Sequence, residues 1–205
     1  MRKINRLVQP EFWEEYRKKN PNDNYDDLQN SEEGRMVRNE LKNYLVKSQY
    51  YICAYCCCKI DSSNSLNEHI KPRGDGYYNK FSMDYDNIIA SCRSKESCSA
   101  EKKNTFNEAL FVSPLEDDCE KHFKYYVDGE IEGITEKGKY TYELLGLNNY
   151  SLKRARMAQL KVCEALNDSQ LVKDYYLTPV DGELEPYTDI VEYFYDLGYF
   201  DVKGE

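Results

Sequence analysis

Cysteines and histidines are the residues of this 205-residue chain best suited to metal and proton-transfer chemistry, and most of its eight cysteines are crowded together. Cys53, Cys56, Cys57, Cys58, Cys92 and Cys98 fall within 46 residues, while Cys119 and Cys163 stand apart. Cys53-Ala54-Tyr55-Cys56 is a CxxC knuckle, which sets two thiolates on one side of a tight turn as half of a tetrahedral zinc site. Cys92 and Cys98 supply a second pair. Five residues separate them, a looser spacing than the usual gap of about two to four. A structural Zn2+ on Cys53, Cys56, Cys92 and Cys98 is therefore expected. Cys57 and Cys58 keep one choice open, since either can replace Cys56. Spacing favours Cys56 and leaves the other two as packing residues. The plainer alternative is a set of buried free thiols.

Between the two pairs lies Asn67-Glu68-His69-Ile70-Lys71-Pro72. One of only two histidines follows a carboxylate directly, inside a cysteine-bracketed loop. On a strand, Glu68 and His69 point to opposite faces, so one can reach a metal ion while the other reaches a water. A neutral imidazole is suited to take a proton from water near pH 7. Taken alone, these residues read as a surface histidine in a polar loop. Tyr85-Asp86-Asn87-Ile88-Ile89 follows, then Cys92, then a helix beginning near Cys98.

The order CxxC, Glu-His-x-x-Pro, Asn-apolar-apolar, Cys, Cys, Lys resembles the HNH nuclease family, whose core is a ββα-metal (His-Me finger) unit. The resemblance covers residues 53–104, about a quarter of the chain. It implies that His69 is the general base, Asn87 holds its ring in orientation, and Glu68 is a ligand to a catalytic Mg2+ or Mn2+. The four cysteines then hold structural zinc, which folds the motif without entering the chemistry. One position departs: the family usually has His or Asn directly after the last cysteine, and here Ser99, a poor ligand, stands there. Lys102 matches a frequent family lysine able to contact phosphate, and Lys71 and Arg73 are further candidates for the backbone of a DNA substrate. More weakly, Met-Arg-Lys-Ile at the start, Asp84-Tyr85-Asp86-Asn87, Lys102 with Asn104, and Leu145-Gly146-Leu147-Asn148 followed by Leu152 and Arg156 resemble the PtuB family. These are the small HNH subunits of Septu-type and retron-associated antiphage systems. That likeness implies an ATPase partner subunit resembling PtuA. Two rivals stand beside this reading: a non-catalytic zinc module that binds nucleic acid or protein, and an RNA or tRNA nuclease.

The surrounding elements must position these groups. Length allows a buried core without disulfides, and no stretch approaches a membrane span. The basic N-terminus lacks the apolar stretch of a secretory signal, so a reducing cytoplasm is expected, where clustered cysteines favour metal over disulfides. The net charge of −9 sits in residues 164–205, where eleven acids oppose Lys173 and Lys203; the remainder is neutral on balance. Acidity so placed is compatible with DNA and offers a docking surface for a partner. Helical spacing marks residues 34–50, through Val37, Leu41, Tyr44 and Leu45, and resumes over 99–110. Residues 20–30 read as a polar loop. Asp128-Gly129 predicts a hairpin with a type I′ turn between 123–127 and 130–134. Further helices are expected at 140–145, at 151–166 with Ser151 as N-cap, and at 188–197. The expected fold is α+β and mostly helical. It comprises an N-terminal helical region (1–50), a zinc-stapled HNH core (51–112), and a hairpin plus helical C-terminal region with an acidic tail (113–205).

Overall fold

Glu11–Lys19 forms helix α1, which spacing alone had not marked. Glu11 and Glu14 stand in the first turn and Arg17, Lys18 and Lys19 in the last, complementing the helix dipole at both ends. Trp13 and Tyr16, three residues apart, turn its buried face inward. Helix α2, Glu32–Ser48, starts where the Ser31 side chain accepts the Gly34 N–H, satisfying one of the donors a helix start leaves unpaired. Leu41 and Leu45 are wholly buried. At Gly34 the helix touches the preceding turn so closely that a Cβ would lie 2.4 Å from the Leu28 carbonyl oxygen. That approach presses residues 20–30 against the core. The expected polar loop therefore carries a short turn, Asp27–Gln29, with Tyr25 and Leu28 buried.

Strand β1, Ser65–His69, pairs antiparallel with β2, Ile88–Cys92, with Ser65 opposite Cys92 and His69 opposite Ile88. All of β2 is buried, which explains its unbroken Ile-Ile-Ala run. The Gln49 side chain covers the strand's other edge. Its amide accepts the Ala90 N–H at 2.7 Å and donates to the Ala90 carbonyl at 2.9 Å, so α2 and the buried strand are bonded as two strands would be. After Cys98, helix α3 is a single turn, Ser99–Lys102. The helix expected over 99–110 stops because Lys103 turns into the left-handed region, φ +50°.

Strands β3 (Phe123–Tyr125) and β4 (Ile131–Gly133) form the second antiparallel pair. Gly129 alone in the loop has positive φ, +85°. The connection is thus a three-residue loop closed by Tyr126 N–H to Glu130, where the sequence suggested a type I′ turn with two left-handed residues. Helices α4 (Glu136–Leu144), α5 (Tyr150–Leu166), α6 (Ser169–Val172) and α7 (Thr188–Asp196) complete the chain. Asn149 caps α5 by accepting the Leu152 N–H, so Ser151 lies inside the helix.

This computed structural model describes residues 1–74 and 76–201; residues 202–205 of the acidic segment, with Lys203 and Glu205, lie outside the described residues. The fold is α+β, with two small sheets among helices. One buried cluster takes Trp13 and Leu41, Ile88 and Ile89, and Ile131 and Val191 from the three sequence regions. Among the described residues no helix is long and apolar enough to cross a membrane.

Candidate functional site

The knuckle after α2 gathers five sulfurs. Those of Cys53, Cys56, Cys58 and Cys92 lie within 4.8 Å of one another. Cys98 joins at 3.9 Å from the Cys53 sulfur, and Cys56 and Cys92 are 3.8 Å apart. Cys57 turns away into a separate small cluster with Ile52 and Leu184. The division follows from the backbone: Cys57 sits at φ +56°, and Cys53 N–H bonds the Cys58 carbonyl at 2.9 Å. That kink folds Cys58 back onto the knuckle. Of the two cysteines that the sequence left open, Cys58 thus stands among the possible metal ligands while also packing on the core, and Cys57 lies in the separate apolar cluster. A thiolate cluster of this kind fits a tetrahedral zinc ion.

His69, at the end of β1, is 4% exposed. Its Nε2 lies 2.9 Å from the Ser82 carbonyl, which can only accept, so Nε2 carries the proton and Nδ1 offers a lone pair. Among the described residues Nδ1 has no hydrogen-bond partner. The Tyr25 ring meets the imidazole edge-on at 4.6 Å, and the Tyr25 N–H donates to the Ser82 hydroxyl at 3.3 Å. Burial pushes the imidazole down to about 4, aided by the Arg73 and Lys102 charges, while the Ser82 carbonyl pulls it back up. The ring is thus neutral at physiological pH.

Asn87 makes no hydrogen bond to that ring among the described residues. Its Oδ1 accepts the Lys71 N–H at 2.7 Å, and its Nδ2 donates to the carbonyls of Lys71 and Phe81, each at 3.1 Å. It ties the two ends of the loop between β1 and β2, the loop that presents the Ser82 carbonyl. Its hold on His69 is therefore indirect, which corrects the expected direct bond.

Glu68 faces the other side of β1. Its Oε1 receives the Lys102 ammonium at 3.0 Å, and the same ammonium donates to the His69 carbonyl at 2.8 Å. Lys102 is wholly buried, and the Glu68 side chain is 12% exposed. A buried ammonium cannot meet a phosphate, so Lys102 fastens α3 to β1, contrary to the expected backbone contact. Burial first, then the Glu68 charge, raises the Tyr55 hydroxyl of the knuckle well above the ordinary phenol range. Ser99 Oγ is buried without a hydrogen-bond partner. Glu68 belongs to no converging group of His, Cys, Asp and Glu side chains among the described residues. One carboxylate oxygen and one hydroxyl are a sparse donor set, matching only an ion that keeps most of its waters, as Mg2+ does.

Lys71 and Arg73 are half-exposed and ion-paired, Lys71 with Glu108 and Arg73 with Asp26. Tyr25 and Ser82 are the site residues that sequence reasoning missed. Tyr25 and Leu28, two apolar residues three apart in a polar run, were the available signal for the first. A backbone carbonyl such as that of Ser82 has none.

A cysteine-stapled strand pair presenting a tautomer-fixed histidine defines the kind of site. No protein-family model matches the chain. Curated relatives do. The Escherichia coli protein named "Retron Ec83 putative HNH endonuclease" is 29% identical over 101 residues, covering 45% of this chain and 37% of that protein. The Vibrio cholerae serotype O1 biovar El Tor protein named "Retron Vc95 putative HNH endonuclease" is 28% identical over 137 residues, covering 61% and 65% respectively. Each match therefore spans less than two thirds of the relative's own length. These similarities support the HNH endonuclease family for this chain.

Proposed function

We propose that this protein is a metal-dependent HNH endonuclease that hydrolyses DNA phosphodiester bonds, with β1, β2 and α3 as its ββα-metal unit. The observation that carries the reading is His69: Nε2–H is committed to the Ser82 carbonyl, leaving Nδ1 as a proton acceptor. A water oxygen bonds to phosphorus as its proton passes to Nδ1, the bond from phosphorus to the 3′ oxygen breaks, and solvent protonates the leaving oxygen. The Ser82 carbonyl stabilises the imidazolium so formed, and Asn87 keeps that carbonyl in place. Glu68 and Ser99 would hold Mg2+ or Mn2+, which when bound supplies Lewis-acid stabilisation of charge on the phosphate. Cys53, Cys56 and Cys92, with Cys58 or Cys98, would hold structural zinc. The retron context in the relatives' names supports a defence role, and the resemblance of the flanking residues adds that of effector nuclease in a PtuB-like antiphage complex. An ATPase subunit would then dock on the acidic C-terminal segment.

A second reading, a non-catalytic zinc module, is favoured by the deep burial of His69 and by the Lys102 ammonium on Glu68. Plasmid nicking separates the two. Wild-type protein with Mg2+ or Mn2+ should relax supercoiled DNA, and His69→Gln should not, while its zinc content and circular dichroism stay unchanged. Equal nicking by both proteins removes His69 from the chemistry, and a lack of nicking by both supports the binding module.

A further inference from the structure

Resting on that nuclease reading, we infer that Arg35, Arg38 and Lys42 on α2, with Arg93 after β2, form a track that binds a nucleic-acid backbone and leads it to His69. Positions i, i+3 and i+7 share one face of a helix, so the three α2 cations form a ridge. That ridge, Arg93, Leu66 and Asn67 line an open groove of about 310 Å3 that contains no carboxylate. The cations favoured from sequence are all spent: Lys71 on Glu108, Arg73 on Asp26, Lys102 on Glu68. By contrast, none of the four groove cations makes an ion pair among the described residues. In a chain where 37 acids face 28 bases, four cations gathered without a carboxylate repel one another until an anion arrives. Lys42 registers this. Its ammonium is lowered by burial first, then by the Arg93 and Arg38 charges, with Asp61 opposing.

The groove also runs to the right place. Asn67 lines it and precedes His69 by two residues on β1, so the two share a face, about 7 Å apart along the strand. Asn67 Nδ2 donates to the Tyr25 hydroxyl at 2.7 Å, and that tyrosine packs its ring on His69. The Arg38 guanidinium lies over the same ring at 5.3 Å. The arrangement reads charge and spacing, without base edges, so it holds any sequence. Continuity with His69 favours a nucleic acid over an acidic protein as the ligand.

The test measures anisotropy of labelled duplex DNA, single-stranded DNA and single-stranded RNA of one sequence. The full chain carries His69→Gln, so that the substrate stays intact, and salt is varied. Onto this background go Arg35→Gln/Arg38→Gln/Lys42→Gln, and as a control of equal charge Lys121→Gln/Lys124→Gln/Lys139→Gln, on exposed positions elsewhere. Melting curves confirm that both sets fold. The track variant should bind at least tenfold more weakly near 0.1 M salt. Its log–log salt slope for duplex should fall by about 2.7, at roughly 0.9 per lost phosphate contact. The control should change less than threefold. Track and control variants binding alike, while the parent binds, overturns the track and assigns these cations to a protein partner. Absence of both binding by the parent and nicking by the wild type overturns the nuclease reading itself.

Discussion

Lys102→Met separates a buried strut from a surface phosphate contact. The Lys102 ammonium is wholly buried between the Glu68 carboxylate and the His69 carbonyl. Removing it leaves a carboxylate with little solvent and an unpaired strand-end carbonyl. Breaking a buried pair by deleting one partner costs about 3–5 kcal/mol; the residual exposure of Glu68 places this case near the lower end, about 3 kcal/mol. For a protein of this size that corresponds to a melting point lower by roughly 6–12 °C. Lys102→Met/Glu68→Gln removes the stranded charge and should cost only about 1 kcal/mol, the lost bond to the His69 carbonyl. Urea and thermal denaturation of wild type, both singles and the double at pH 7 complete the cycle. A single-variant cost under about 1 kcal/mol, or an additive double, refutes the buried strut. Unchanged stability with weakened DNA binding would restore the phosphate contact.

The five sulfurs compete for four positions around zinc, so Cys58→Ser and Cys98→Ser should each retain one zinc per chain, and the double variant should lose it. Metal analysis after gel filtration checks this, and complete loss in either single identifies the indispensable fourth ligand. For His69 the sign is set by a folded value of about 4 against about 6.5 unfolded. Between these values the unfolded chain binds the extra proton, so stability rises with pH and is lost as pH falls from about 6.5 through 4. Between pH 7 and 5 the wild type should lose about 2 kcal/mol more than His69→Gln. Parallel losses in urea titrations of the two proteins would show that His69 is not held neutral by burial.

Much of the candidate site was readable locally. CxxC, Glu68-His69 and the Asn87-Ile88-Ile89 run are short-range patterns whose residue types and strand spacing constrain which groups can act. The helices at 34–50, 151–166 and 188–197 were legible through their spacing for the same reason. Packing across the chain decided the rest. A lysine read alone belongs in water, and only the approach of α3 to β1 puts Lys102 inside. Cys57 and Cys58 are the same residue type, and a left-handed turn at one sends their sulfurs to different clusters. Tyr25, Ser82 and the cations of α2 lie far from His69 in sequence or act through a backbone atom, so no local pattern could join them to it. Identity and spacing along a chain specify which groups are available, whereas burial, tautomer and partner depend on what the fold sets opposite them.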